Sequence, residues 1–381
     1  MNSLERVIAA VSGEQPDRIP FDLGSSLVTS ITKNAYIALA KELGVDVGEV
    51  SMCDTIQQLP VFADSMAEAL EVDVRGVIPN FGRKNPEITT TDGADTFVDE
   101  YGVLWERPAD SLYYDVKDSP FSGEVTVADI ENHPWPDPKD PALLDGLDIE
   151  AKRYHDAGYA VILDSLCAGL FEMACRLRGY ENFYMDLAGE PDVAHAMLDK
   201  LVEIKIGFYE AAAPRLGQYI QFVREGDDMA GQESLLMSPN MYRTFMMPRH
   251  KQLFEAQKRL FPQPFFCFFH SDGAIWDLIP TFIENGVEVL NPVQLTARGM
   301  DGGKLKTEFG RDIAFWGGGV NTQHVLPHAT PEEVEQNVRE RIGMLAGGGG
   351  YVFGTVHNIQ DDVSPASVMA MMKAFRELRE Y

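Results

Sequence analysis

The chain has 381 residues, 45% of them hydrophobic, with 32 basic against 59 acidic side chains and a formal net charge of −27. That apolar content is enough for one large core, while the charge argues against nucleic acid and anionic membranes as partners and favours a small molecule or another protein. Apolar runs such as residues 264–269 are too short to span a bilayer, Glu5 and Arg6 interrupt any signal-peptide pattern, and Cys53, Cys167, Cys175 and Cys267 lack C-x-x-C spacing, so a cytoplasmic protein with reduced, buried thiols is expected.

In chain order, residues 18–22 and 74–78 are the first two candidate strands. Between about residues 89 and 121 the pairs Asp92-Gly93 and Tyr101-Gly102 stand among aromatic, strand-like pieces, which predicts a β-hairpin insertion over one end of the fold. Residues of about 132–148, with Pro134, Pro136, Pro138 and Pro141, read as an irregular linker. From residue 150 onward, short apolar runs alternate with amphipathic helical patterns. The runs are 159–164, 219–223, 265–269, 287–291, 313–317 and 350–354. They are rich in β-branched or aromatic residues without polar alternation, as strands buried on both faces require.

The intervening helices carry end signals. Thr330, Pro331 and Glu333 form an N-cap, a first-turn proline and a capping box; Val334, Val338, Ile342 and Leu345 then share one face. Ser238-Pro239 and Ser364-Pro365 open two further helices in the same way. Strand–helix alternation of this kind predicts an α/β fold, a (β/α)₈ TIM barrel running as one domain over residues 1–381.

In such a barrel, residues at the strand C-termini face a shared pocket whatever their separation in sequence. The 265–269 run leads into His270-Ser271-Asp272-Gly273, the 219–223 run into Arg224-Glu225-Gly226-Asp227-Asp228, and the last run into His357-Asn358. His270 and Asp272, two apart, can point the same way. With His357 they would give two imidazoles and a carboxylate around an open position, a set suited to catalytic Zn²⁺. Glu225 and Asp228 are candidate acid–base or donor-positioning groups, and Asp227, Asn291, Gln294 and Asn358 are candidate substrate contacts. The plainer alternative is a His and an Asp that hydrogen-bond each other at a strand end, with His357 capping a loop.

These residues resemble the uroporphyrinogen decarboxylase superfamily, and within it the corrinoid-dependent methyltransferases. The resemblance covers nearly the whole chain. It rests on Arg18-Ile19-Pro20, Tyr101-Gly102-Val103-Leu104-Trp105, Gly226-Asp227-Asp228, Ser238-Pro239, His270-Ser271-Asp272-Gly273, Asn291-Pro292-Val293-Gln294, the glycine-flanked segment 309–318 and His357-Asn358-Ile359-Gln360. Porphyrinogen decarboxylases carry an N-terminal Met-Arg-Gln-Ala-Gly-Arg motif for the substrate carboxylates. Here that stretch reads Phe21-Asp22-Leu23-Gly24-Ser25-Ser26, without arginine. The similar methyltransferases hold zinc with a His-x-Cys motif and a later Cys. Asp272 stands at the first thiol position and His357 lies near the second, which makes the implied site harder and its zinc a stronger Lewis acid.

The resemblance therefore implies a zinc-dependent methyltransferase that moves a methyl group between a small methylated compound and the cobalt of a corrinoid on a partner protein. Methoxylated aromatics come first as donors, methylated amines or thiols after them. It also implies a homodimer. Two other readings stay open: a metal-independent decarboxylase of a small acid using Asp227 or Asp228, and a non-catalytic binding barrel.

Overall fold

In the computed structural model, which describes residues 1–381 apart from the side chain of Arg83, the short apolar runs lie side by side as parallel strands. A small antiparallel pair, β1 (Met52–Asp54) and β2 (Leu59–Pro60), precedes β3 (Val74–Val77), the first strand of the main sheet. An inserted antiparallel sheet follows: β4 (Thr89–Thr91), β5 (Ala94–Val98), β6 (Leu104–Pro108) and β7 (Asp115–Asp118). The main sheet continues with β8 (Ala160–Leu163), β9 (Phe222–Gly226), β10 (Phe266–His270), β11 (Val289–Asn291), β12 (Ala314–Trp316) and β13 (Tyr351–Val352). Its order is β3-β8-β9-β10-β11-β12-β13, and each neighbouring pair is parallel.

The segment expected as the first strand closes the cylinder between β13 and β3. Phe353 N–H donates to the Pro20 carbonyl at 2.8 Å, Asp22 N–H to the Phe353 carbonyl at 2.9 Å, and Asp73 N–H to the Phe21 carbonyl at 2.8 Å. Pro20 has no N–H to give a ladder, and pairing here is a single parallel bridge, Phe21 with Phe353. A buried carboxylate anchors this stave. Asp73, fully inaccessible, accepts from Ser3 Oγ, Arg6 Nη1, both terminal nitrogens of Arg18 and the Phe21 N–H, all at 2.7–2.9 Å.

Strand alternation sorts the side chains into two cores. Val74, Ala160, Ile162, Phe222, Phe268, Val289, Ala314, Trp316 and Val352 pack inside the barrel with Val7, Ala10 and Val11 of the N-terminal helix Ser3–Val11. That helix covers the end at which the strands begin, since its Leu4 N–H bonds the Gly158 carbonyl just ahead of β8. The intervening strand residues face the surrounding helices. At the other end of the strands the interior turns polar, with Asp164, Arg224, His270 and Asn291 all buried. Asp22 belongs there too. One of its oxygens accepts from Trp316 Nε1 at 2.9 Å, the other has no partner, and burial pushes its carboxyl up to about 6.

The expected hairpin is present and extended. Asp92 and Gly93, both at positive φ, form the tight β4–β5 turn, and pairing continues through β6 to β7, so the insertion is a four-stranded meander. Its inner face is aromatic, with Phe97 between Trp105 and Tyr114 at ring-centroid distances of 6.4 and 5.0 Å. One strand boundary moved in a way that matters. The long helix Pro191–Leu216 runs into a 3₁₀ turn at Gly217–Tyr219, so β9 starts at Phe222 and extends through Gly226. The capped helices at Pro331–Leu345 and Pro365–Leu378 are as read from sequence. All four cysteines are buried and free, and among the described residues no helix is long and apolar enough to cross a membrane.

Removing Asp73 leaves two guanidinium groups without their shared acceptor, so Asp73→Ala should cost about 3–5 kcal/mol in urea unfolding. Asp22 has the opposite sign: its folded carboxyl holds a proton more tightly than the unfolded one, so stability is lost as pH rises through about 6. Asp22→Asn should thus stabilise the chain by roughly 1–3 kcal/mol at pH 8, with little gain at pH 4, as thermal melts at the two pH values would read.

Candidate active site and metal centre

Because β9 extends to Gly226, its alternation places Arg224 and Gly226 toward the barrel axis and Val223 and Glu225 toward the helices. Glu225 is therefore not at the mouth. It is buried against the long helix, accepting from Lys205 Nζ at 2.8 Å, from Ser165 Oγ at 3.0 Å and from the Tyr209 hydroxyl. The expectation of Glu225 as a catalytic group is corrected on this geometry.

His270, the last residue of β10, points inward, and its orientation is set from behind. Asn291 Nδ2 donates to the Trp316 carbonyl at 2.9 Å, which leaves Asn291 Oδ1 facing His270 Nδ1 at 2.6 Å. An acceptor there puts the proton on Nδ1 and frees Nε2 toward the mouth. Asp272 Oδ2 lies 3.6 Å and Asp228 Oδ1 3.9 Å from that Nε2. The His357 ring stands 5.6 Å from the His270 ring, centroid to centroid. One ligand atom each from His270, Asp272 and His357 fall within 4.8 Å of one another.

The electrostatics of the trio suit a cation. Asp272 Oδ1 is buried with no hydrogen-bond partner, and among the described residues neither His357 nitrogen bonds to protein. Burial alone would lower the His270 imidazole, but Asp272 and Asp228, with Asn291, outweigh it and raise it to about 9. Burial and the Asp272 carboxylate push Asp228 up to about 7. Burial works against the Asp272 charge, yet His270 and His357 hold that carboxyl below its usual range, while burial lowers His357. Two carboxylates thus face one imidazole nitrogen, an arrangement that favours positive charge between them, and a divalent ion would supply that charge.

His270 and His357 of the trio line a cavity of about 530 Å³, together with Asp227, Asp228, Arg224 and Glu172 among others. The inserted sheet supplies one wall through Trp105, Tyr113 and Tyr114. Asp228 lines the cavity and also accepts from the Asp272 N–H at 3.0 Å. Asp227 reaches it too, although its carboxylate is committed to protein. It accepts from the Phe171 and Glu172 N–H groups at 2.9 and 3.1 Å, capping the helix Leu170–Arg178, and meets His250 Nε2 at 3.1 Å. Gly169 at that helix start must lack a side chain, since a Cβ would stand 2.2 Å from Asp227 Oδ1.

The three amides expected as substrate contacts serve the protein itself. Asn291 orients His270. Gln294 accepts from the Gly273 N–H at 2.8 Å and steadies the loop carrying Asp272. Asn358 accepts from the Ser30 N–H at 2.7 Å and donates to the Leu27 carbonyl at 2.8 Å, tying the loop after β13 to the N-terminal segment. Residues unnoticed in the sequence stand in their place. Asp54, Glu172, Arg176 and Tyr180 line the cavity, and His250 is held by the Tyr242 hydroxyl at 3.0 Å beneath Asp227. The one local signal for Glu172 and Arg176 is their spacing of four, that of an ion pair on a helix face.

Comparison with known proteins agrees with this architecture. Residues 111–378 match the family model described as Uroporphyrinogen decarboxylase (URO-D). A uroporphyrinogen decarboxylase from Geobacter sulfurreducens is 24% identical over 267 residues, covering 67% of this chain and 71% of the relative. One from Shewanella frigidimarina is 25% identical over 194 residues, spanning 50% of this chain and 49% of that protein. A solved structure, a methyltransferase from Methanosarcina mazei, superposes with a TM-score of 0.65 at 15% identity, covering 99% of each chain. With the family model matched over well more than half of its length and this fold shared end to end, the chain belongs to the uroporphyrinogen decarboxylase family.

Proposed function

We propose that the chain is a metal-dependent methyltransferase that moves a methyl group from a small methylated compound to a corrinoid carried by a separate protein. The observation that carries this reading is the convergence of His270, Asp272 and His357 within 4.8 Å beside a 530 Å³ cavity. Two neutral nitrogens and one carboxylate are a fitting set for Zn²⁺ with an open position, and the structural neighbour is itself named a methyltransferase. Zinc held there would act as a Lewis acid on the donor heteroatom, lowering the cost of the charge that develops when the bond to methyl breaks.

The chain's own groups do the rest. The donor heteroatom would keep the electron pair of the broken bond, the pair for the new bond would come from the reduced corrinoid of the partner, and a proton would neutralise the leaving group. Asp228, on the cavity wall beside His270, is placed to hold that proton. Asn291 keeps His270 Nε2 turned to the site, and the inserted sheet forms a rim at the mouth where a corrinoid protein would dock. Methoxylated aromatics suit the wall of Trp105, Tyr113 and Tyr114.

A metal-free decarboxylase is the rival, supported by the names of the curated relatives. Against it stand the absence of arginine across residues 21–26 and the commitment of Asp227 to the helix N-terminus and His250.

Elemental analysis after zinc loading and desalting should find one zinc per chain, lost in His270→Ala and in Asp272→Ala with circular dichroism unchanged. Protein that takes up no zinc, or retains it in both variants, rules the metal site out. Replacing the orienting amide, Asn291→Leu, should weaken zinc binding about 10–100-fold in a chelator competition. Asn291→Asp, which keeps an acceptor against His270 Nδ1, should lose less.

A further inference from the structure

We infer that the cavity grips its substrate by a carboxylate, through Arg176 and Arg224, so that the methyl donor is an aromatic carboxylic acid. The inference rests on the methyl-transfer reading only for the methyl group; the carboxylate grip stands on the geometry of the two arginines.

In a chain of charge −27, cationic donors facing a cavity need a reason. Each guanidinium carries five N–H donors in a rigid fork, and neither fork is used up. Arg176 donates from Nη2 to Glu172 Oε1 at 2.5 Å, with its guanidinium carbon 5.1 Å from the Trp105 ring centroid. Among the described residues, its Nε and Nη1 bond to no protein group. Arg224 directs Nε and Nη2 at the same oxygen of Asp164, the Nε at 2.7 Å, and Nη1 likewise bonds to no protein group among the described residues. Both arginines line the same cavity as His270 and His357.

Glu172 and Asp164 thus neutralise the two cations and fix their planes without consuming all of their donors. Donors held in a partly desolvated wall favour a ligand that brings acceptors and disfavour one that does not. A carboxylate is the planar acceptor that a guanidinium fork fits best. The rest of the ligand is set by the aromatic wall beside Arg176. Trp105, pinned through Nε1 to Asp99 Oδ2 at 2.8 Å, and its neighbours Tyr113 and Tyr114 offer aromatic surface to a ring. A cavity of about 530 Å³ lies within the range that encloses a small organic ligand.

These arginines are not in the segment where the family's decarboxylases bind substrate carboxylates, which here is residues 21–26. They sit on the helix Leu170–Arg178 and on β9. The two arginines thus stand apart from that segment, Arg176 next to the inserted sheet.

The test is calorimetric titration of the zinc-loaded protein with 4-methoxybenzoate and with its neutral counterpart 4-methoxybenzamide, in wild type, Arg176→Gln and Arg176→Lys. We expect the acid to bind at least about tenfold more tightly than the amide in wild type, Arg176→Gln to cut that preference at least about threefold with zinc content unchanged, and Arg176→Lys to restore part of it. Equal or tighter binding of the amide, no binding of either compound, or a preference undiminished in Arg176→Gln overturns the proposal. Following free cob(I)alamin methylation with the same compounds keeps the two readings apart. A binding preference without methyl transfer sinks the methyltransferase reading and leaves the carboxylate site standing; methylation from the amide as readily as from the acid does the reverse.

Discussion

A buried carboxylate, Asp73, holds the barrel closed. It gathers Arg6, Arg18, Ser3 and the Phe21 N–H at one point and thereby fixes the stave that bridges β13 to β3. A proline-containing segment with a single bridge would be a weak edge by itself. Two cations shared on one fully buried acceptor make it a structural strut, because separating them would leave charges unpaired in the interior. With the ring closed, loops after β9, β10 and β13, distant in sequence, face one another across the mouth. His270, Asp272 and His357 meet for that reason.

Strand alternation then divides the labour among the polar residues. On β9 it sends Arg224 to the cavity and Glu225 to the helices, where Lys205 neutralises it. Two acidic residues that look equivalent in sequence, Glu225 and Asp228, end in unlike surroundings: a saturated buried ion pair, and a cavity wall beside a raised imidazole. The polar end of the barrel interior is a connected layer. Asp22 binds the Trp316 indole, the Trp316 carbonyl binds Asn291, and Asn291 binds His270. Such a layer orients the site through contacts that never touch a ligand.

The inserted meander gives the barrel its individual character. It places an aromatic wall over the strand ends, and it does so in a segment that lies largely ahead of the region matched by the family model. Specificity is commonly carried by such loop-borne elements on a rigid scaffold. The pairing of Arg176 with Trp105 joins the insertion to the barrel helix that also carries Glu172.

Periodicity and end signals made most of the architecture legible in the sequence: unalternating apolar runs for strands buried on both faces, Thr330 and Ser364 for helix starts, and Asp92-Gly93 for a tight turn. These are local effects, set by backbone dihedrals and burial within a few residues. The metal-site candidates were legible as well, because strand ends in a barrel converge by geometry alone. Which polar groups are free for chemistry was not. Asn291, Gln294, Asn358 and Asp227 are bound to partners 20 or more positions away, and Arg224 keeps a donor to spare because Asp164, 60 positions away, takes only part of its fork. Hydrogen-bond saturation depends on contacts between distant segments, so only the tertiary structure decided it.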